Sequence, residues 1–303
     1  MDAPRGTVVE RLAGAPISWG VCEVPGWGVM LPRERVLSEM RGLGLQASEL
    51  GALGYLGSEP EEIRDLLASF SLSAVGGFVP LVLHEPAARK DMVLDAERAA
   101  RLIAGAGGSY FVTAVVADAG WSAPFDLDGP GWDELASGLA TVERICADHG
   151  LAQVLHPHLG TLVERGEHIA EVLERSDVSW CLDTGHLAIG GVDPPTFAAE
   201  HADRVGLVHL KDVDLSLAPG VAAHELTLLE ATKAGLFRAL GRGDVDVAAV
   251  VTALEARGYS GWYVLEQDTT IAEVDAGSVD PAADVRTSID YLRHVPIDEV
   301  ARR

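Results

Sequence analysis

Trp180-Cys181-Leu182-Asp183-Thr184-Gly185-His186 is the stretch of this chain that indicates its fold most clearly. An apolar run of β type stops abruptly at an acidic residue, and a glycine follows two positions later. Three other stretches end in the same way, at His or Glu: Val154-Leu155-His156-Pro157-His158, Leu207-Val208-His209-Leu210-Lys211-Asp212 and Tyr263-Val264-Leu265-Glu266-Gln267-Asp268. Four such strand ends, each roughly one strand and one helix apart, predict parallel strands whose carboxyl ends meet at one face of a barrel.

The bulk composition fits a large, acidic domain. The chain has 303 residues, about the length of one (β/α)₈ barrel with modest insertions, and 48% of them are hydrophobic. Its 23 basic and 46 acidic residues give a net charge of −23, which opposes binding to nucleic acid and to anionic membranes. No apolar run approaches the roughly 18 residues of a membrane span. We therefore expect neither nucleic acid nor membrane as a partner.

The cysteine content favours a reducing compartment. The three cysteines are Cys22, Cys146 and Cys181, and no Cys-x-x-Cys pair occurs. An odd number at such spacing makes a disulfide framework improbable. The segment Met1–Arg11 is polar and has no apolar core of a secretory signal. These features predict a cytoplasmic protein.

Eight strands alternate with helices along the chain. The strands are short and apolar without clean polar alternation, which is typical of strands buried on both faces. They are predicted at Ala15–Gly20, Gln46–Leu50, Ser73–Val79, Tyr110–Val116, Ala152–His156, Ser179–Asp183, Val205–Leu210 and Trp262–Gln267. Helical periodicity is present at Pro32–Arg41, Glu61–Phe70, Asp91–Ala104, Trp132–His149, Glu167–Arg175, Pro195–His201, Val245–Arg257 and Pro281–Arg293.

This alternation predicts an α/β fold, a closed (β/α)₈ TIM barrel, with a doubly wound sheet as the alternative. Nothing in the pattern indicates a second domain, so we expect residues 1–303 to form a single barrel domain. The segment at about 215–242 is longer than an ordinary connection and carries a helical pattern at His224–Phe237. We interpret it as an inserted helical loop after the seventh strand, where long loops of barrels usually cover the active site.

The four strand ends supply a consistent set of metal ligands. Side chains two residues apart on a strand face the same way, so one inward-facing residue from each strand can meet above the barrel core. The predicted ligands are His156, Asp183, His209 and Glu266. Two imidazoles and two carboxylates suit Mn, Co, Fe or Zn, and a six-coordinate ion keeps open positions for substrate oxygens. Because no cysteine takes part, a structural zinc site is improbable.

Each of these residues also has a simpler explanation. A strand-end histidine is often only a hydrogen-bonded core residue. Asp183 could cap the next helix, and Glu266 could pair with an arginine. These explanations are independent of one another, and all of them would have to hold at once to remove the site. The metal site is therefore the favoured interpretation.

The same strand ends carry a resemblance to a known family. Asp183-Thr184-Gly185-His186, His209-Leu210-Lys211-Asp212 and Leu265-Glu266-Gln267-Asp268 resemble the metal-binding strands of the xylose-isomerase-like barrel superfamily of sugar isomerases and epimerases. Three further stretches resemble the inosose (2-keto-myo-inositol) dehydratases of inositol catabolism: Gly14-Ala15-Pro16-Ile17-Ser18-Trp19-Gly20-Val21-Cys22-Glu23, His156-Pro157-His158-Leu159-Gly160-Thr161 and Leu240-Gly241-Arg242-Gly243-Asp244-Val245-Asp246. The likeness covers about residues 12 to 295.

The resemblance implies a divalent metal, Mn or Co first, with Mg, Fe or Zn as alternatives. It places ligands at Asp183, His209 and Glu266. The family's first ligand is usually a Glu on strand five, where His156 stands here, and His158 and Glu164 are the other claimants for that role. Sugar epimerases of the superfamily use two carboxylates, on strands five and eight. A histidine at the first position therefore favours elimination by one base over epimerisation by two.

The activity implied is that of a hydro-lyase that removes water from a keto-inositol. Glu266 is the first choice for the base that removes the proton next to the ketone, and His158 is the second. The candidate donors of a proton to the leaving hydroxyl are Lys211, His158 and His186. Lys211 could instead hold a substrate oxygen. The expected partner is a small polyol or keto sugar.

Two residues at the end of the first predicted strand, Trp19 and Glu23, are expected to line the substrate pocket. Trp19 fits the hydrophobic core equally well. The oligomeric state stays open, and a homo-oligomer is compatible with the sequence.

Four other functions compete with the dehydratase. The nearest is a metal-dependent isomerase or epimerase of a keto sugar or inosose on the same barrel. An endonuclease-IV-like enzyme would need a basic DNA-binding face, which a net charge of −23 opposes. A non-catalytic barrel would not need four ligand positions. A Rossmann dehydrogenase is weaker still, because no Gly-x-Gly-x-x-Gly follows the first strand.

Overall fold

The computed structural model describes residues 6–22, 24–273 and 280–296. Within them, nine strands form one sheet and two form a small antiparallel pair. The strands are β1 (Leu12–Gly14), β2 (Ala47–Ser48), β3 (Ser73–Ala74), β4 (Gly76–Leu81), β5 (Tyr110–Val115), β6 (Ala152–Leu155), β7 (Ser179–Asp183), β8 (Val205–Leu210), β9 (Asp212–Val213), β10 (Phe237–Arg238) and β11 (Tyr263–Leu265).

The large sheet closes on itself. Its strand order is β3-β2-β1-β11-β8-β7-β6-β5-β4, and every pairing in it is parallel. The two end strands, β3 and β4, are halves of one segment that is interrupted only at Val75. Since β3 pairs with β2 and β4 pairs with β5, this segment joins both edges. The predicted eight-stranded TIM barrel is thereby confirmed.

Helices fill most connections between the strands. They are α1 (Arg33–Gly42), α2 (Pro60–Ser69), α3 (Arg89–Gly105), α4 (Gly129–Asp148), α5 (Gly166–Arg175), α6 (Thr184–Ile189), α7 (Pro194–His201), α8 (Ala218–Ala222), α9 (Leu228–Lys233), α10 (Val247–Ala256) and α11 (Pro281–Arg293). Several begin at an aspartate whose carboxylate accepts a backbone N–H of the first turn, as Asp128 does from Gly131 and Asp246 from Ala249. In the part of the chain that is described, no helix has the length and apolar character required to cross a membrane.

Two hydrophobic layers hold the barrel together. The outer layer, between strands and helices, is large and contains residues such as Leu37, Phe111 and Leu254. The inner layer lies inside the barrel and takes small or medium apolar residues from successive strands. We call it the inner plug: Ala13, Ala15, Ala47, Val75, Val112, Val154, Cys181, Leu207 and Val264, all of them at most 2% exposed. The barrel is therefore a packed core with its polar residues at one end.

The first strand lies earlier than the sequence pattern predicts. β1 ends at Gly14, so the predicted strand Ala15–Gly20 was wrong. A 3₁₀ helix occupies Pro16–Trp19 instead. The reason is Pro16, because its ring fixes φ and it has no N–H to continue the ladder with β11. The other predicted strands overlap the observed ones.

The loop after β8 has a different structure from the one expected. The predicted helix His224–Phe237 is shorter, since α9 starts after its cap Thr227 and ends at Lys233. α8 precedes it and was not predicted. Phe237 belongs to β10, which pairs with β9 and brings the loop back to the barrel.

Asp212 holds the end of this loop in place. Its Oδ1 accepts the N–H groups of Val213 (2.9 Å) and Val245 (3.1 Å), and its Oδ2 accepts those of Gly241 and Gly243, both at 2.9 Å. The side chain is fully buried. A single carboxylate therefore satisfies four backbone donors that would otherwise be buried without partners.

Candidate metal centre and active site

Five polar side chains form a layer directly above the inner plug. Each stands two residues after a plug residue on its strand and so faces the same way. Glu49 follows Ala47, His156 follows Val154, Asp183 follows Cys181, His209 follows Leu207 and Glu266 follows Val264. All five are at most 9% exposed. The structure thus brings the four predicted ligands together and adds Glu49.

Asp183 uses its two oxygens for different purposes. Oδ1 accepts the N–H groups of Gly185 (2.9 Å) and His186 (2.8 Å) and so caps α6. Oδ2 faces the barrel mouth, 3.3 Å from His156 Nε2 and 3.8 Å from His209 Nδ1. The sequence left open whether this residue is a helix cap or a ligand, and the geometry allows both.

His209 lies between two carboxylates. Its Nδ1 is 2.9 Å from Glu266 Oε2, and its Nε2 is 3.0 Å from Glu49 Oε1. The Nε2 contact has hydrogen-bond geometry, whereas the buried Nδ1 has no hydrogen-bond partner. The buried His156 Nδ1 also has none. Such unsatisfied buried nitrogens beside carboxylates are expected where a cation binds.

The described residues offer three overlapping sets whose ligand atoms lie within 4.8 Å of one another: His156 with Cys181 and His209, His156 with Asp183 and His186, and Glu49 with His209 and Glu266. The donors are mainly imidazole nitrogens and carboxylate oxygens, which suit first-row divalent cations. Together with the unsatisfied nitrogen of His209, this donor set fits a divalent metal ion.

Lys211 is one of two cations in this cluster. The other is His209, whose pKa burial would lower but Cys181, Glu49 and Glu266 raise well above its ordinary value. Lys211 is fully buried, and its Nζ lies 2.7 Å from Glu266 Oε1, 2.9 Å from Asp268 Oδ1 and 3.4 Å from Asp183 Oδ2. Burial alone would lower the pKa of this ammonium, but the three carboxylates raise its pKa well above the usual range. Lys211 is therefore protonated in the protein.

The three carboxylates around Lys211 have pKa values shifted in different directions, although Lys211 lowers each of them. Burial would raise the pKa of Glu266, but Lys211 and His209 hold it well below its ordinary value. Burial would also raise the pKa of Asp183, and Lys211 with the hydrogen bond from His156 lowers it. For Asp268 burial prevails, and its pKa is raised to about 6. Glu266 and Asp183 are thus kept ionised, as ligands must be.

His158 and His186 stand beside the ligand layer with their ring centres 4.0 Å apart. His186 Nε2 is 3.1 Å from Lys211 Nζ. Burial, followed by the charge on His156 and Lys211, lowers the pKa of His158 to about 3. Burial, followed by His158 and Lys211, also lowers the pKa of His186 well below its ordinary value. Both imidazoles are therefore neutral near pH 7.

An aromatic wall borders His158 on its other side. Phe78 on β4 lies 5.6 Å from the His158 ring, and Trp121 stacks on Phe78 at 6.2 Å. Trp121 is 44% exposed and belongs to the loop after β5. One side of the mouth therefore offers flat apolar surface and the other offers charged groups.

Two other residues named from the sequence, Trp19 and Glu164, have their described contacts outside this cluster. The prediction that Trp19 lines the pocket does not match its position. The 3₁₀ turn after Pro16 directs the fully buried indole outward to α1, where its N–H donates to Glu39 Oε2 at 2.7 Å. Glu164 accepts from the Gly160 N–H and contacts His224, and it makes no hydrogen bond or ion pair with the four predicted ligands. Glu23 lies outside the described residues.

Two carboxylates at the mouth were not assigned by sequence reasoning. Glu49 follows β2, and the rule that relates Val154 to His156 would have found it from Ala47. Asp268 shares its face with Glu266, as the strand pattern indicated, but it received no role. Its contact with Lys211 depends on how a long flexible side chain bends, which strand periodicity does not give.

Comparison with known proteins identifies the family. Residues 37–295 match the family profile described as "Xylose isomerase-like TIM barrel". An inosose dehydratase of Geobacillus kaustophilus (strain HTA426) is 29% identical, covering 93% of this chain and 93% of the relative. An inosose dehydratase of Geobacillus thermodenitrificans (strain NG80-2) is 31% identical, covering 86% and 91% respectively. These matches confirm the resemblance found in the sequence.

The solved structures agree at the level of the fold. The structure of an L-ribulose 3-epimerase superposes with a TM-score of 0.69 at 18% identity and covers 97% of this chain and 96% of the epimerase. The chain belongs to the xylose isomerase-like TIM barrel family, and within it to the group that contains these inosose dehydratases.

Proposed function

We propose that this protein is a metal-dependent dehydratase of a keto-inositol, which removes water from 2-keto-myo-inositol to leave a dione, as a step of inositol catabolism. The relatives named above support this activity. The observation that carries it at the site is an asymmetry between two strand ends. Glu266 has the ammonium of Lys211 at 2.7 Å, whereas β6 contributes His156 rather than a second carboxylate. A base with an adjacent proton donor suits elimination.

His156, Asp183, His209 and Glu266 are the residues that would hold the metal, with Mn or Co preferred and Mg, Fe or Zn as alternatives. When bound there, a divalent cation supplies Lewis-acid polarisation of the substrate ketone and so acidifies the adjacent C–H. The depressed pKa values of Asp183 and Glu266 keep their carboxylates available as ligands near neutral pH.

A proton can circulate between two side chains of the site. Glu266 accepts the proton from the carbon next to the ketone. The β-hydroxyl then leaves as water after it takes a proton from Lys211 Nζ. The contact of 2.7 Å between Lys211 Nζ and Glu266 Oε1 lets the proton taken by Glu266 restore the ammonium. The cycle therefore ends with both side chains in their starting states.

His158 is the second choice for the base, since its uncharged ring can accept the proton. His186 was also named as a proton donor, but its neutral ring has no proton to give to an amine. Its Nε2, 3.1 Å from Lys211 Nζ, instead accepts an ammonium N–H and holds the donor in place. Phe78 and Trp121 would contact the C–H face of a ring-shaped polyol, and the acidic protein would admit an uncharged substrate without electrostatic cost.

The test is loss of metal together with loss of water elimination. We expect Asp183→Ala and His209→Ala to bind no stoichiometric divalent metal and to leave 2-keto-myo-inositol unchanged in mass, while the wild-type protein releases one water per substrate. Full activity of either variant, or of wild-type protein stripped of metal, would contradict the proposal.

The alternative is a metal-dependent isomerase or epimerase of a keto sugar or inosose. One feature favours it, since Glu49 and Glu266 face the mouth from different strands and two carboxylates suit two-base chemistry. Glu49, however, is engaged by His209 at 3.0 Å. Mass analysis of the product separates the two activities, because epimerisation leaves the mass of the substrate unchanged.

A further inference from the structure

Glu49 reaches the site from the side of the barrel opposite β6 and β7. It follows β2, and its own N–H donates to the carbonyl of Gly14 on β1 at 3.0 Å, which fixes the end of the strand. The residue is 6% exposed. Its carboxylate is therefore held among the mouth residues rather than in bulk water.

The contact with His209 determines which ring nitrogen faces the ligand cluster. Glu49 Oε1 is 3.0 Å from His209 Nε2 with hydrogen-bond geometry. Because an ionised carboxylate only accepts, Nε2 donates to Glu49 both in the imidazolium of the metal-free protein and in the neutral ring that would bind a metal. The other nitrogen, Nδ1, faces Glu266 Oε2 at 2.9 Å and has no hydrogen-bond partner. Because the two nitrogens of an imidazole point in diverging directions, Glu49 and Glu266 contact different sides of the ring.

We infer that Glu49 is a positioning residue of the metal centre. It fixes His209 as the tautomer protonated on Nε2 and orients the ring so that Nδ1 is the ligand atom. This inference rests on the proposed metal site. A histidine that binds metal through one nitrogen commonly donates its other N–H to a carboxylate or carbonyl, and loss of that partner costs about 10–100-fold in metal affinity.

The second histidine of the cluster shows that this arrangement is specific to His209. His156 Nε2 contacts Asp183 Oδ2 at 3.3 Å, and its Nδ1 has no hydrogen-bond partner among the described residues. No carboxylate therefore orients the far side of the His156 ring. Removal of Glu49 should change one imidazole of the site and leave the other as it is.

The first experiment measures Co²⁺ affinity of the full-length protein by chelator competition. We expect Glu49→Ala to weaken binding about 10–100-fold. Glu49→Gln should lose less, because its amide oxygen still accepts from Nε2. Glu164→Ala is the matched control, since Glu164 is equally buried at 4% but contacts Gly160 and His224 instead of His209. The control should bind Co²⁺ as the wild type does.

The second experiment reads the tautomer directly in the Zn²⁺-loaded protein with ¹⁵N-labelled histidine. We expect His209 to show a protonated Nε2 and a metal-bound Nδ1 in the wild type. In Glu49→Ala the slowly exchanging Nε2–H signal should be lost, while the signals of His156 keep their positions. If Glu49 had a role in folding alone, its replacement would not change the tautomer of His209. If the alanine variant does not fold, the same spectra are recorded on Glu49→Gln.

Several results would overturn the inference. Unchanged Co²⁺ affinity and an unchanged His209 tautomer in both Glu49 variants would remove the role of Glu49 and leave the metal centre standing. Binding of Zn²⁺ through Nε2, or a Co²⁺ absorption spectrum that shows one ligand fewer in Glu49→Ala, would make Glu49 a ligand instead. Absence of Co²⁺ binding by wild type and control alike would refute the proposed metal centre, and this inference with it.

Discussion

Lys211 Nζ lies 2.7 Å from Glu266 Oε1, and neither side chain is more than 9% exposed. The contact joins the only lysine of the mouth to the carboxylate that ends β11, within the part of the chain that is described. Because Asp268 and Asp183 are also within 3.4 Å of Nζ, one ammonium contacts three carboxyl groups.

Replacement of this lysine should destabilise the metal-free protein. In Lys211→Met the three carboxylates lose their cation, and removal of one partner of a buried ion pair costs about 3–5 kcal/mol. Urea unfolding of metal-free samples measures the loss. Lys233→Met is the control, since Lys233 is exposed and its hydrogen bond goes to the Gly26 carbonyl at 3.2 Å; its effect should stay within about 0.5 kcal/mol. Equal stability of the two variants would mean that Lys211 does not neutralise the cluster.

The role of Glu266 as base predicts an isotope result. Glu266→Gln should abolish exchange of the hydrogen next to the ketone with deuterium from the solvent, because an amide cannot accept that proton. Turnover should fall about 10²–10⁴-fold. Exchange is measured by mass spectrometry at saturating metal, with bound metal quantified in the same samples. If the metal-loaded Glu266→Gln variant exchanges at the wild-type rate, Glu266 is not the base and His158 becomes the candidate. The variant His158→Gln tests that candidate in the same assay.

Gly243 should not tolerate a side chain. A Cβ at this position would lie 2.3 Å from Asp212 Oδ1 and 2.6 Å from the Val213 carbonyl, so the turn held by Asp212 would have to open. We expect Gly243→Ala to lower the free energy of unfolding by about 1–3 kcal/mol. Gly42→Ala is the control, because no atom lies within 4 Å of its Cβ position. Limited proteolysis should cut the Gly243 variant, and not the control, near residues 240–245.

His84 should make the protein less stable in mild acid. It is 8% exposed, neither ring nitrogen has a hydrogen-bond partner, and burial lowers its pKa while Glu85 at 4.0 Å offsets part of the shift. The unfolded chain therefore binds the proton more tightly than the folded one. His84 therefore leaves the free energy of unfolding unchanged above the ordinary histidine pKa of about 6.5. As the pH drops below that value, the free energy of unfolding falls by at most ~1.4 kcal/mol per pH unit.

His84→Leu removes this titration. The difference in unfolding free energy between wild type and variant, measured at about pH 7.5 and about pH 5.5, should shift in favour of the variant at the lower pH. Parallel pH profiles would show that His84 has the same pKa in the folded and the unfolded state. Phe125, whose ring packs against His84 at 5.4 Å, keeps an apolar neighbour in the variant.

Strand periodicity was enough to predict the barrel and four members of its polar layer. His156, Asp183, His209 and Glu266 each end an apolar run, and an alternation of two residues places them on the inner face. Glu49 follows the same two-residue alternation. However, β2 is only two residues long, and the polar residue Ser48 interrupts the apolar run that marks the other strands.

Features that depend on turns and on long, flexible side chains were harder to predict from the sequence. Trp19 was misplaced because Pro16 ends the ladder earlier than the apolar run does. The contacts of Lys211 with Asp268 and Glu266 depend on side-chain torsions that no spacing rule describes. The metal identity, the cytoplasmic location and the single-domain organisation stay predictions.

The two-residue step between the inner plug and the polar layer limits how this chain can change length. Deletion of one residue within β7 would turn Asp183 toward the helices and move Leu182 into the inner plug, because each shift of one position reverses every side chain that follows. The long loop between β9 and β10 is under no such constraint. Asp212 holds the ends of this loop through backbone hydrogen bonds, whatever the number of residues in the loop. Gains and losses of residues among homologues should therefore fall in the loops, while the strands keep their count.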